Sequence, residues 1–168
     1  DGDKRKAASQ NGNLSEVSFT VIKLNAISIS KSTNTPYISL GQDFNFTLKY
    51  ANNSENPLVN SKLYDILPYN GDYRGSDFDG FYKINNIIID FSNAPKTFTD
   101  FINNNYVVGY ITTQNIQTNN FANIASINNW TNIIDKSINT TNKTVTYTGL
   151  PENVTGLIFN MKLEGLEY

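Results

Sequence analysis

The chain has 168 residues, a formal net charge of −2 at pH 7 and an apolar fraction of 39%. A chain of this length can bury about 70% of its unfolded surface, which predicts one globular domain, or one domain with part of a neighbour. The sequence has no cysteine and no histidine, so it excludes disulfides, thiol and Ser-His-Asp catalysis, and metal sites built on Cys or His. The charge balance argues against a nucleic-acid partner. No apolar run predicts a membrane span, and no signal peptide is visible, which predicts a mature or excised segment.

The N-terminal residues divide into a polar segment and two short strands. Residues 1–12 are charged, small and without periodicity, which predicts a linker or a disordered end. Val17, Phe19 and Val21 then alternate with polar residues, and residues 26–31 alternate in the same way. This period of two is typical of β-strands.

The predicted fold is organised around the stretch from Gly41 to Asp79. Its first part alternates polar residues with apolar ones at positions 44, 46, 48 and 50, so the apolar side chains share one face of a strand. A polar turn over residues 52–57 leads to a second strand, which we expect to end before Pro68 because proline lacks a backbone donor. A loop rich in Gly and Asp follows.

The middle of the chain predicts a hairpin and a further strand. Residues 80–84 and 87–91 flank Asn85-Asn86, and asparagine tolerates the positive φ of a two-residue turn. Residues 106–113 are rich in β-branched and aromatic side chains, which favour strands.

The last part of the chain predicts a short helix and two strands. Phe121, Ile124 and Ile127 have helical spacing, whereas residues 144–148 and 157–163 alternate like strands. Short strands separated by turn residues predict an all-β, antiparallel sandwich with little helix. The expected core positions are Phe44, Phe46, Leu48, Tyr64, Ile66, Leu67, Val145, Tyr147, Ile158 and Leu163.

Two motifs carry a family resemblance. The segment Gly-Gln-Asp-Phe-Asn-Phe-Thr-Leu-Lys-Tyr-Ala-Asn (41–52), followed by Leu-Tyr-Asp-Ile-Leu-Pro (63–68), resembles the DUF11-type conserved repeat of bacterial and archaeal surface proteins, in a clostridia-like variant. The resemblance covers residues 26–168, with a poorly matched insertion at about 92–142. It implies an Ig-like β-sandwich over residues 25–168, preceded by a linker or the tail strand of another repeat over residues 1–24.

The same resemblance implies a non-catalytic role outside the cell. Such repeats build stalks and fibres of Gram-positive cell-wall or cell-surface proteins, so the expected partners are neighbouring repeats. The alternative is an adhesin domain that binds a host protein or glycan through the 70–80 loop and the 92–142 insertion. A stalk repeat is expected to lack an exposed apolar patch, whereas a binding module is expected to have one on the insertion.

The resemblance also implies an internal isopeptide crosslink. Lys31 lies at the position of the family's lysine and Asp65 at its acidic position, while Asn160 is the available substitute for the expected asparagine. The reaction needs a neutral amine, an amide carbon that it attacks, and a carboxyl group that carries the proton. The alternative is an ordinary surface lysine and a turn-adjacent aspartate.

Closely spaced oxygen donors predict a calcium site. Asn70, Asp72, Asp77 and Asp79 lie in one glycine-containing loop, and calcium prefers several oxygen ligands from a flexible segment. The alternative is that these residues serve only the turn. No other cofactor is expected.

Aromatic residues in or near the loops predict a sugar-binding surface. Tyr69, Tyr73, Tyr82 and Trp130 are candidates to stack on sugar rings, although aromatics at strand spacing are more often core. Acidic pairs such as Asp77 and Asp79 have no spacing that places two carboxyls across a cleft, so no enzyme is predicted.

Overall fold

A computed structural model describes residues 4–8, 14–18, 27–35, 37, 39, 41–71, 78, 80, 83–104, 106–112 and 121–166. Its strands are β1 (Lys4–Ala8), β2 (Leu14–Ser18), β3 (Ile27–Thr33), β4 (Phe46–Asn52), β5 (Leu58–Ile66), β6 (Ile87–Asp90), β7 (Val108–Ile111), β8 (Thr131–Asn132), β9 (Lys136–Asn139), β10 (Thr144–Tyr147) and β11 (Gly156–Leu163). Its helices are α1 (Pro95–Asn103) and α2 (Phe121–Ala125). Every described ladder is antiparallel, which confirms the predicted all-β, sandwich-like class with little helix.

Two larger sheets surround the core. One has four strands in the order β5-β11-β7-β8, and the other has three in the order β6-β10-β9. Two-stranded sheets are formed by β3-β4 and by β1-β2. The buried cluster consists of Leu67, Phe91, Phe98, Phe101, Val108, Ile133, Val145, Tyr147, Leu150, Val154, Leu157, Phe159, Met161 and Leu163.

Strand β11 shows how the sequence pattern sets this burial. Leu157, Phe159 and Met161 are buried, whereas Ile158 and Asn160 between them are half-buried. Successive side chains of a strand point to opposite faces, so the odd-numbered residues of β11 face the core and the even-numbered ones face away from it. Residues opposite each other on β5 and β7 share these faces.

Several described residues within 92–142, the range expected as an insertion, belong to this core. Strand β7 lies inside the four-stranded sheet, between β11 and β8. Helix α1 places Phe98 and Phe101 in the cluster, where Phe101 lies 5.2 Å from the ring of Phe91. The sequence analysis missed α1 because its apolar residues are few and asparagines follow it, whereas the helix depends on burial of its phenylalanine face.

The predicted hairpin at residues 80–91 is not formed at its described residues, and Phe81 and Tyr82 lie outside them. Lys83 and Ile84 have no regular strand structure, and the described ladder partner of β6 is β10. The segment Tyr106–Thr113 does contain β7, and the predicted helical turn is present as α2. Strand β1 lies where a linker was expected, paired with β2.

The core predictions are confirmed for four residues and wrong for Phe46. Leu67, Val145, Tyr147 and Leu163 are buried, whereas Phe46 is 40% exposed. The other expected core positions, Phe44, Leu48, Tyr64, Ile66 and Ile158, are only half-buried. Phe46 is exposed because β3 and β4 form a separate two-stranded sheet, so their apolar face is only partly covered.

Strand β3 begins and strand β11 ends at the same end of the module. Ile27, the first residue of β3, pairs with Asn52 at the end of β4, and Leu163 pairs with Leu58 at the start of β5. We call this the near end. The far end contains Thr33 and Phe46, together with Ile66 and Gly156.

Candidate functional site

Lys31 and Asp65, both predicted from the sequence, are in contact. The Nζ atom of Lys31 donates to Oδ1 of Asp65 at 2.6 Å, joining β3 to β5. The side chain of Asp65 is 8% exposed and that of Lys31 is 33% exposed. Asp65 lies on the core face of β5, opposite Leu157, so the pair connects the β3-β4 sheet to the core face of the four-stranded sheet.

An aromatic ring completes the surroundings of this pair. Lys31 Nζ lies 4.6 Å from the ring centroid of Phe46, close enough for a cation–π interaction. Lys31 pairs with Leu48 in the β3-β4 ladder, so its stem lies on the apolar face of that sheet. The hydroxyls of Tyr50 and Ser61 form a second contact between β4 and β5.

The side chain of Asn160 does not face the Lys31–Asp65 pair. It lies opposite Lys62 on β11, whereas Asp65 lies opposite Leu157. The two pairs are separated by an odd number of positions, so the side chains of Asn160 and Asp65 point to opposite faces of the sheet. The described residues therefore hold two of the three predicted crosslink groups together and place the third elsewhere.

A buried asparagine joins the near end of the module. Asn52 is 0% exposed, and its Nδ2 donates to the carbonyl oxygens of Asn56 at 2.8 Å and of Leu163 and Glu164 at 3.3 Å. Its Oδ1 accepts hydrogen bonds from the backbone N–H and the hydroxyl of Ser54. We call this set of contacts the Asn52 brace. It ties the β4–β5 turn to the end of β11.

Close backbone packing extends the brace. The N–H of Leu166 donates to the carbonyl of Ser54 at 2.9 Å. A Cβ added to Gly165 would overlap the carbonyl oxygen of Glu55, so only glycine permits this approach. The chain that follows β11 is therefore held against the β4–β5 turn.

Charged side chains also connect β11 to α1. Lys162 forms an ion pair with Glu164 and lies 3.9 Å from Oδ1 of Asp100 on α1. The hydrogen bond to Glu164 raises the pKa of Lys162. Burial raises the pKa of the Tyr106 hydroxyl, and the nearby Asp100 carboxylate raises it further.

In the core, burial raises the pKa of Tyr147 to about 12, so its hydroxyl is neutral at pH 7.

The predicted calcium ligands are only partly described. Asn70 is exposed, while Asp72, Asp77 and Asp79 lie outside the described residues. Within the described ranges, no three His, Cys, Asp or Glu side chains are grouped to hold a metal ion. The calcium site stays a prediction.

The predicted sugar-stacking residues have different environments. Tyr69 is 5% exposed, because it continues the inward alternation of Asp65 and Leu67, so it offers no exposed ring. Tyr73 and Tyr82 lie outside the described residues. Trp130 is half-buried and packs against Tyr64, with ring centroids 5.7 Å apart.

Comparisons with known proteins give no family. No family model, no curated protein and no solved structure matches this chain. The resemblance to the DUF11-type repeat therefore stays a prediction. In the described part of the chain, neither helix has the length and apolarity needed to cross a membrane.

The sequence analysis missed the Asn52 brace, although the signal was present. Asn52 continues the period of two set by Phe46, Leu48 and Tyr50, so the alternation places its polar side chain on the apolar face. A polar residue at an inward-facing position of a strand needs hydrogen-bond partners when it is buried. That rule would have identified Asn52 as a structural polar residue.

Proposed function

We propose that this chain is a non-catalytic structural module of an extracellular bacterial surface protein, serving as an Ig-like repeat of a stalk or fibre. The observation that carries the proposal is the use of polar side chains as braces between elements. Lys31–Asp65 joins β3 to β5, and Asn52 joins β4 to β11. The third brace, Lys162 with Asp100, joins β11 to α1.

The arrangement of the charged side chains also supports a structural role. A shallow depression in the described surface lies over α1, and it is lined by Pro95, Lys96, Thr99, Asp100 and Asn103. It is open to solvent, and Asp100 is its one carboxylate among these lining residues. A glycoside hydrolase places two carboxylates across its cleft, whereas these lining residues include one carboxylate and one lysine.

A stalk repeat is expected to resist tension between its two ends. Pulling the start of β3 away from the far end loads the hydrogen bonds of the β3-β4 ladder together, because the force runs along the strands. Pulling β3 and the end of β11 apart loads only the near end, where contacts break one after another. The end-to-end direction should therefore be the stronger one.

Single-molecule pulling tests the proposal, and the absence of native cysteine permits two defined attachment points. The end-to-end variant carries Ser28→Cys and Asn70→Cys, and the matched near-end variant carries Ser28→Cys and Leu166→Cys; all three positions are exposed. We expect a clearly higher unfolding force for the end-to-end pair. Equal or lower force in that direction would rule out the stalk role.

The Lys31–Asp65 contact favours a second candidate, a covalently crosslinked repeat. The Lys31 amine would give a proton to Asp65 and attack the side-chain amide carbon of an asparagine. A new C–N bond forms, the original C–N bond breaks, and ammonia leaves. The 2.6 Å contact places the two groups within the distance of a proton transfer. Asn160 is excluded as the acceptor because it lies on the opposite face.

The intact mass of the denatured chain tests this candidate. An asparagine crosslink is expected to lower the mass by about 17 Da through loss of ammonia, whereas acylation by Asp65 itself would remove about 18 Da as water. Lys31→Arg is the matched control, because arginine keeps the charge and stays protonated. An unmodified wild-type mass would rule out the crosslink, and it would not contradict the proposed structural role.

A further inference from the structure

Two buried polar groups lack partners near the second face of the four-stranded sheet. This face points away from the core cluster and carries Lys62, Tyr64, Ile158 and Asn160, with Trp130 packed on Tyr64. Oδ1 of Asn160 and Nε1 of Trp130 are both buried and have no hydrogen-bond partner among the described residues. We call these residues the Trp130 face.

The unpartnered atoms are costly to the free protein. A buried donor or acceptor without a hydrogen bond lowers stability by about 1–3 kcal/mol, so such groups are rare in folded proteins. Here a donor, the indole N–H, and an acceptor, the amide oxygen, occur at one sheet surface. A bound group that accepts a hydrogen bond from Trp130 Nε1 and donates one to Asn160 Oδ1 would remove both unfavourable free-energy contributions.

The register of the sheet places Asn160 beside the aromatic pair. Asn160 pairs with Lys62, and Tyr64 pairs with Ile158, so Asn160 and Tyr64 are diagonal neighbours on one face. Diagonal neighbours across an antiparallel ladder are about 7–8 Å apart. One sugar ring spans this distance, with its apolar side against an aromatic ring and its hydroxyls toward the polar atoms.

We propose that the Trp130 face binds a neutral saccharide, with hydroxyl groups hydrogen-bonded to Trp130 Nε1 and Asn160 Oδ1 and with the sugar ring stacked on the aromatic pair. A hydroxyl both donates and accepts, so one type of group satisfies both atoms. The rings of Tyr64 and Trp130 are inclined by 52° with centroids 5.7 Å apart, so they contact each other and a sugar ring stacks on the outer face of the pair.

Trp130 has to turn for the sugar to enter, because the indole nitrogen and Oδ1 of Asn160 are both buried. It directly precedes β8, a two-residue strand at the edge of the sheet whose residues are exposed. Changes of side-chain rotamer on binding are common, and an edge position opposes them least. The proposal is independent of the structural role above, since it uses a different face from the Lys31–Asp65 pair.

Intrinsic fluorescence measures this site directly, because Trp130 is the single tryptophan of the chain. The wild-type protein is titrated with maltotriose, cellotriose and triacetylchitotriose into the millimolar range. We expect a saturable change in emission with at least one sugar. No saturable change with any of the three would overturn the proposal.

Asn160→Leu separates a binding role from a structural one. It removes an unpartnered polar atom, so we expect a higher melting temperature together with a loss of affinity of about three- to tenfold or more, the value of one hydrogen bond. Tyr37→Phe, at a highly exposed tyrosine outside the Trp130 face, is the control and should bind like wild type. Unchanged affinity in Asn160→Leu would remove Asn160 from the site and overturn the assignment.

Two further variants test the site if Asn160→Leu does not fold. Asn160→Ser keeps a small polar group, and Trp130→Phe keeps a stacking ring but loses the N–H. Calorimetric titration replaces fluorescence for Trp130→Phe. Each variant is expected to bind the same sugar about three- to tenfold more weakly; wild-type affinity in both would overturn the proposal.

Discussion

Phe101→Ala is expected to lower the free energy of unfolding by about 3–5 kcal/mol, the usual cost of removing a buried phenylalanine ring. Phe101 is 2% exposed and packs against Phe91 and Tyr106. It belongs to α1, within the residues that the sequence marked as an insertion. Chemical denaturation followed by circular dichroism measures the effect.

The control for this prediction is Ile134→Ala in the same segment. Ile134 is 83% exposed, so we expect a change below about 0.5 kcal/mol. If Phe101→Ala leaves no folded protein, Phe101→Leu gives a smaller cavity and a measurable loss. A cost under about 1 kcal/mol for Phe101→Ala would mean that α1 is peripheral, as expected of an insertion.

Asn52→Ala is expected to cost about 3 kcal/mol, because it leaves several buried or partly buried backbone groups of the near end without this partner. Three carbonyl oxygens lose the Nδ2 donor, and the Ser54 N–H loses its acceptor. The exposed Asn86→Ala is the matched control, with little change expected. A loss below about 0.5 kcal/mol for Asn52→Ala would contradict the brace.

Hydrogen exchange locates the effect of the same variant. The Leu166 N–H is bonded to the Ser54 carbonyl, so we expect its exchange to become much faster when Asn52 no longer holds the turn. Amides of β7, in the interior of the sheet, should change only in proportion to the global stability. Uniform acceleration throughout the chain would show that Asn52 acts on overall stability rather than on the near end.

The alternating pattern of individual strands was sufficient to locate much of the sheet. Strands β3, β4, β10 and β11 all lie where a period of two was read, because that pattern depends only on neighbouring residues and the pleat. The same reading placed Lys31 and Asp65 on two strands, where the structure joins them.

Pairing between distant strands could not be read in the same way. The predicted 80–91 hairpin is not formed at Lys83 and Ile84, and β6 pairs instead with the distant β10, a partner that local turn chemistry does not indicate. Asn160 was named as a substitute for the family's asparagine, yet the register of β11 on β5 puts it on the face opposite Asp65. A shift of one residue would reverse that result.

The sequence by itself determined the all-β class and the exclusion of Cys and His chemistry, since these follow from composition and local periodicity. The pair Lys31 and Asp65 was named from the family resemblance, and the structure brings the two side chains into contact. The tertiary structure alone decided that α1 belongs to the core, that Asn52 braces the near end, and that Asn160 and Trp130 carry unpartnered polar atoms. These depend on which groups lose water when separate strands and helices pack together. The local alternation indicates which face of a strand turns inward, but it does not specify which partners cover that face.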